Sequence, residues 1–187
     1  MTSIIKVDQI QNAAGGTPTA ADLGLNVSGA VLQVKQTVVT NTFSSSIGGN
    51  FAEMTDFRTT ITPSSTSSKI LVKGSLNIGQ DYWQVRGKIL RDGTAIGLGE
   101  TAGSRVPVTW NINTYDGGQP YSDYWMHRVS FEYLDSPSST SSLEYSLNIG
   151  GYNTSYAVYL NRTGYVSDSS TYWGRPISTL TLMEIAG

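Results

Sequence analysis

From Ala30 almost to the last residue the chain alternates apolar and polar side chains with period two, in short runs broken by clusters of Gly, Pro, Asn, Asp and Ser. A period of two fits an extended strand with one face covered; a helix, with its 3.6-residue repeat, does not show it. Leu32, Val34, Gln36 and Val38 share one face of the first such run, and Val31, Gln33, Lys35, Thr37 and Val39 share the other. Further strands are expected at 53–62, 69–78, 83–91, 95–98, 104–112, 124–134, 142–149, 156–161 and 178–186. About ten short strands divided by turn formers is the pattern of an antiparallel sandwich or barrel, so the expected fold class is all-β.

Two kinds of turn carry their own mechanism. Asp92-Gly93, between Lys88–Leu90 and Ala95–Ile96, predicts a type I′ hairpin, because both residues tolerate positive φ. Pro63 followed by Ser64–Ser68 closes one strand before Lys69, and Pro137 followed by Ser138–Ser142 repeats the device before Leu143. Each is followed by a strand ending in Ser-Leu-Asn-Ile-Gly, at 75–79 and 146–150. The flanks do not match, so the echo reads as convergent strand-entry chemistry rather than an internal duplication.

Residues 1–29 have another texture. Ile5 and Val7 alternate weakly with Lys6 and Asp8, turn formers follow at Asn12–Pro18, and Gly24 and Gly29 bound a stretch too short for a stable helix. This segment has no core of its own and is expected to be an extended arm ordered by a partner surface, with residues 30–187 forming the β domain. No run approaches the ~18 apolar residues of a membrane span. The start lacks the basic-then-apolar build of a signal peptide. Neither membrane insertion nor export is therefore expected, and the Asn-x-Ser/Thr triplets at Asn26, Asn153 and Asn161 read as chance.

Composition then narrows the chemistry. Lys+Arg 12 against Asp+Glu 14 gives a net charge of −2, which leaves no basic footprint for nucleic acid. With no cysteine and a single histidine, disulfides, zinc-thiolate sites, thiol catalysis and histidine-pair metal sites are excluded. No catalytic residue, metal or cofactor is expected: most acids fall at turns, where Asp bonds the backbone, and Gly97-Leu98-Gly99 lacks the lysine and helix of a phosphate loop. A glycoside hydrolase would need two carboxylates about 5–9 Å apart, which the sequence cannot pair. His127 sits in the alternating set Trp125, His127, Val129, Phe131 and Tyr133, which reads as a histidine packed in a core or a subunit interface.

The positive signal is aromatic: all 4 Trp and 11 Tyr lie from Tyr82 onward, many beside or within loops that include Tyr82-Trp83 and Tyr124-Trp125. Trp110, Tyr115, Tyr121, Tyr152, Tyr156, Tyr165, Tyr172 and Trp173 are the candidate recognition residues, with Asp116, Gln119, Asp123, Asn153, Asn161 and Arg162 as polar neighbours. A loop Tyr or Trp joins an apolar face to a hydrogen-bonding tip, which suits sugar rings and protein surfaces. The same side chains also serve to seal loops onto a sandwich or to pack between subunits.

The opening Ser3-Ile4-Ile5-Lys6-Val7-Asp8-Gln9-Ile10-Gln11-Asn12-Ala13-Ala14-Gly15, leading to Leu25-Asn26-Val27-Ser28-Gly29, resembles the N-terminal segment of short tail-fibre proteins of marine bacteriophages, cyanophages included. Ser68–Val72, Ile89–Gly97, Leu134–Pro137, Tyr159–Arg162 and Ser178–Ala186 look like the jelly-roll knob of those proteins, which is similar to the trimeric C1q/tumour-necrosis-factor type. The resemblance implies a homotrimeric virion protein with an antiparallel jelly-roll knob at 30–187, attached to tail proteins by an arm at 1–29. Ile4, Ile5, Val7 and Ile10 are then the attachment residues, and the aromatic loops bind a host-surface glycan or protein. Trp125, His127, Val129, Phe131 and Tyr133, with Leu180 and Leu182, become candidates for the three-fold contact. No long shaft separates Gly29 from the knob, which also admits a structural role: a capsid decoration, head fibre or fibre adaptor without receptor binding. A polysaccharide-degrading enzyme is the third reading.

Overall fold

In the computed structural model, which describes residues 10–11, 14–18, 23, 28–80, 83–113, 124–165 and 174–187, the described residues form twelve strands, most of them within the period-two runs. They are β1 (Val31–Val39), β2 (Phe43–Ser45), β3 (Ala52–Glu53), β4 (Thr59–Ile61), β5 (Lys69–Gln80), β6 (Gln84–Arg91), β7 (Thr94–Ile96), β8 (Trp110–Asn113), β9 (Met126–Asp135), β10 (Leu143–Gly150), β11 (Val158–Leu160) and β12 (Ser178–Ile185). No helix among the described residues is long and apolar enough to cross a membrane.

All pairings are antiparallel, and they make two sheets. In the first sheet β9 lies along one edge of β5, and β12 and β11 share the other; β1 then pairs β12 and β2 pairs β11. In the second, β3 and β4 flank one edge of β10, β6 flanks the other, and β7 and β8 pair the far edge of β6. The chain changes sheet on leaving β2, β4, β5, β8, β9 and β10. An order of β1-β12-β5-β9 facing β4-β10-β6-β7 is a jelly roll, so the all-β antiparallel expectation holds.

The core lies between the sheets. Ile70, Val72, Leu76 and Ile78 of β5 are fully covered, as are Tyr145, Leu147 and Ile149 of β10, Val85 and Ile89 of β6, and Leu180 and Leu182 of β12. Burying each such side chain is worth about 1.5–3 kcal/mol, which is why every alternate residue of these strands is fixed to one face. The two Ser-Leu-Asn-Ile-Gly segments are in the central strands β5 and β10, with Leu76, Ile78, Leu147 and Ile149 turned into the interior. The hairpin at Arg91↔Thr94 has Asp92 at φ 49° and Gly93 at φ 78°, the type I′ geometry predicted from Asp-Gly.

Three segments depart from the expected strands. The stretch 53–62 breaks into β3 and β4, because the turn closed by Phe57 N–H on the Met54 carbonyl (2.9 Å) drops both side chains into the core. The stretch 104–112 is a strand only from Trp110; Pro107 has no N–H to offer a ladder. β2 has no hydrophobic alternation and exists through its pairing with β11.

The two ends of the sandwich differ. The chain enters β1 at one end, where Gly29 N–H donates to the Ala186 carbonyl (2.7 Å) and Ala186 N–H to that of Ala30 (2.8 Å). The links after β4 and β9 lie at this entry end, and those after β5, β8 and β10 lie at the opposite end.

Candidate recognition site

At the end opposite the entry, two aromatic stacks are assembled from four different loops. Trp83 follows β5 with φ 64°, its carbonyl held by Gln80 Nε2 at 2.6 Å. Its ring lies 5.0 Å from that of Tyr152, nearly parallel at 15°. Tyr124, leading into β9, stacks on Tyr165 at 4.6 Å and 17°. Short-range bonds shape these loops: Asn153 Oδ1 accepts from Ser155 N–H at 2.9 Å, and Thr163 Oγ1 donates to the Tyr165 carbonyl at 2.7 Å. Tyr152 and Tyr165 each remain 42% exposed, so each stack presents a usable π face rather than a sealed contact.

Of the eight sequence-derived recognition residues, Tyr152, Tyr156 and Tyr165 are found on these loops. Tyr115, Tyr121, Tyr172 and Trp173 lie outside the described residues. Trp110 is corrected to a core residue: it is 8% exposed, and its ring covers Gly87, where a Cβ would sit 2.1 Å from it. Trp83 and Tyr124 complete the stacks, and the signal for them was only their place beside the expected strand ends. Of the attachment residues, Ile10 is exposed, and Ile4, Ile5 and Val7 lie outside the described residues.

Two polar neighbours are also accounted for by the fold. Asn161 is fully buried at φ 56° and donates to the carbonyls of Val39 (2.9 Å) and Asn41 (3.0 Å), while its Oδ1 accepts from Ser178 Oγ at 2.6 Å. It pins the point where β11 gives way to β12 beside the break between β1 and β2, and is closed to a sugar. Arg162 donates to the carbonyls of Thr163 (3.1 Å) and Gly164 (3.3 Å) and lies over the Tyr159 ring, 4.5 Å from its centroid.

The set Trp125, His127, Val129, Phe131 and Tyr133 alternates as expected, but four of its members turn inward. Residues directly opposite across an antiparallel pair share a face. His127, Val129, Phe131 and Tyr133 oppose Ile78, Leu76, Gly74 and Val72, which face the core. Val129 is buried, and Phe131 and Tyr133 pack against the core. Burial pushes the His127 imidazole below its ordinary pKa. Leu180 and Leu182 are likewise interior. Only Trp125 is well exposed, at 49%, with its ring edge-on to His127 at 6.5 Å.

The outer face of the same sheet carries an exposed apolar row. Val34, Met183, Leu71 and Leu134 stand opposite one another in a single row across β1, β12, β5 and β9. Val34 and Leu134 are 53% and 46% exposed, and Val31, Val38 and Ile177 add exposed apolar area nearby. The next row is Gln36, Thr181, Lys73 and Glu132, with Gln36 Nε2 donating to Thr181 Oγ1 (2.8 Å) and Lys73 paired to Glu132 at 3.4 Å. A shallow trough of about 700 Å³ runs along the second row and reaches Val34 and Met183 of the first. The outer face of the second sheet is charged instead, carrying Glu53, Arg58, Arg86, Lys88 and Glu144.

The buried carboxylates have structural partners. Asp135 accepts from Arg91 and Tyr145. Glu184 accepts from Gln33 Nε2, Ser64 N–H and Ser64 Oγ, each at 2.6 Å. Burial pushes Glu184 up, but these donors outweigh it and hold the carboxyl below its ordinary pKa. Among the described residues no three His, Asp or Glu side chains are grouped to hold a metal.

No protein family and no curated protein matches the chain. Among solved structures it is similar to the T=1 particles derived from infectious bursal virus, at 13% identity and a TM-score of 0.40, over 84% of this chain and 37% of that one. It is similar also to the VP2 subviral particle of infectious bursal disease virus, at 12% identity and a TM-score of 0.39, over 84% of this chain and 38% of that one. The chain thus spans well under half the length of these structures.

Proposed function

We propose that this chain is a bacteriophage tail-fibre protein: a non-enzymatic homotrimeric knob, attached to virion tail proteins by residues 1–29 and binding a host-surface glycan or protein. The observation that carries this reading is polarity. The arm joins the sandwich at Gly29 and Ala30, at one end, and the Trp83–Tyr152 and Tyr124–Tyr165 stacks stand at the other. Attachment and recognition are thereby separated by the length of the strands.

Three copies would meet through the outer face of the β1-β12-β5-β9 sheet. Its apolar row gives the contact a hydrophobic centre, and the Lys73–Glu132 row beside it gives charges that can exchange partners between copies. On this reading the three-fold contact is on the opposite side of β9 from His127, Val129, Phe131 and Tyr133.

The test is labelled full-length protein on candidate host cells, with its mass read by light scattering. The expected result is a trimer that binds saturably and is displaced by unlabelled protein, with Tyr152→Ala and Tyr165→Ala each weakening binding about tenfold. A folded trimer that binds no host cell, yet assembles with tail or capsid proteins through residues 1–29, would overturn the adhesin reading in favour of a structural virion role.

A further inference from the structure

Beside the aromatic end, on the outer face of the second sheet, a pocket of about 360 Å³ is lined by Gln84, Arg86, Ser104, Arg105, Val108 and Asn111, among others. Its volume is in the range of small-ligand sites. β6 and β8 set its floor, because Arg86 and Asn111 are directly opposite in the ladder, and the segment before β8 supplies its wall. Arg86 is fixed by donating from Nη2 to the carbonyls of Gly151 (3.0 Å) and Gly49 (3.3 Å), and its Nε is buried without a hydrogen-bond partner. Among the described residues neither Arg86 nor Arg105 has an ion-pair partner, and the side chains of Gln84, Ser104 and Asn111 make no hydrogen bond.

Two guanidinium groups with no carboxylate opposing them, together with an amide pair and a hydroxyl, form a donor-rich pocket that is short of negative charge. Guanidinium is matched in geometry to the oxyanion of a carboxylate or sulfate, while the amides and hydroxyl suit neutral hydroxyl groups. Trp83 of the first stack immediately precedes Gln84, so an aromatic platform adjoins the polar pocket. We infer that this pocket is a subsite for an acidic saccharide, whose carboxylate or sulfate is bound by Arg86 and Arg105 and whose hydroxyls are bound by Gln84, Ser104 and Asn111. The inference rests on the host-binding reading and gives it a ligand class.

The test titrates the full chain with galacturonic acid oligomers, with sulfated galactose oligomers and with neutral galactose oligomers of equal length. One or both acidic series should bind, identifying the oxyanion, and the neutral series should bind at least about tenfold more weakly. Affinity should fall as salt is raised. Arg105 is exposed, so Arg105→Gln should fold and weaken acidic binding about tenfold or more, with Asn111→Ala weakening it less. Lys35→Gln, the same charge change on β1, should leave it unaltered. Equal binding of neutral and acidic oligomers, no binding by either acidic series, inorganic sulfate binding as tightly as the oligomers, or an unaltered Arg105→Gln variant would each overturn the inference. Host-cell binding separates this from the wider reading. Adhesion retained in Arg105→Gln but lost in Tyr152→Ala overturns the pocket alone. Acidic-oligomer binding by a protein that adheres to no host cell overturns the adhesin reading alone.

Discussion

The Tyr145 hydroxyl donates to Asp135 Oδ2 at 2.7 Å across the gap between the two sheets, and Arg91 Nη1 reaches both oxygens of the same carboxylate at 2.7 and 2.9 Å. Asp135 ends β9 of the first sheet, while Arg91 and Tyr145 belong to β6 and β10 of the second. This cluster is a polar tie between the two sheets. Asp135→Ala removes the acceptor and strands a partly buried guanidinium, so it should destabilise the fold by about 3–5 kcal/mol. Tyr145→Phe removes one bond and should cost about 1–2 kcal/mol. Urea unfolding of both variants checks the order.

The same cluster sets an alkaline limit. Burial, reinforced by the bond to Asp135, pushes the Tyr145 phenol far above its ordinary value of 10.0. The unfolded chain therefore loses this proton above pH 10 while the folded chain keeps it, and stability falls as pH rises through that region. Tyr145→Phe should flatten this part of a stability curve measured from pH 8 to 11, although it lowers stability at neutral pH.

Acid acts at the other buried carboxylate. Burial alone would raise the Glu184 pKa, but the donors from Ser64 and Gln33 depress it below its ordinary 4.5. A depressed carboxylate contributes stability above that value and loses it as pH falls through the folded value. Glu184→Gln should be destabilised at pH 7 and lose less on acidification below 4.5, read by thermal unfolding over pH 3–7. The Ser64–Ser68 loop, which Glu184 anchors through Ser64, should gain hydrogen exchange in the variant.

Two glycines hold space rather than a turn. A Cβ on Gly87 would lie 2.1 Å from the Trp110 ring, and one on Gly74 would lie 2.1 Å from that of Phe131. Gly87→Ala and Gly74→Ala should each cost about 1–3 kcal/mol through overpacking. Pairing Gly74→Ala with Phe131→Leu should recover part of the loss, measured as a double-mutant cycle.

The proposed three-fold contact has its own test. Val34→Lys and Leu134→Lys change exposed side chains on the outer sheet face, so the fold should survive while the trimer dissociates. Light scattering that finds the double variant still trimeric would refute this face as the contact.

What the sequence determined by itself was whatever depends on local stereochemistry. Period two along Lys69–Ile78 and Ser142–Ile149 follows from the pleat, and Asp92-Gly93 specifies its turn because those two residues tolerate positive φ. Tertiary structure decided what periodicity leaves open. Alternation at 125–133 says that one face is apolar, but its direction depends on the register with β5, and that register turns His127, Val129, Phe131 and Tyr133 inward. Trp110 looked like a loop aromatic until Gly87 supplied the space that takes its ring, and Asn161 looked like a surface amide until the strand breaks gave it buried carbonyls. The aromatic end and the Arg86–Arg105 pocket are illegible because their residues come from different strands and loops: the stacks form where loops meet at one end of the sandwich, and the pocket where β8 and the segment before it lie beside β6.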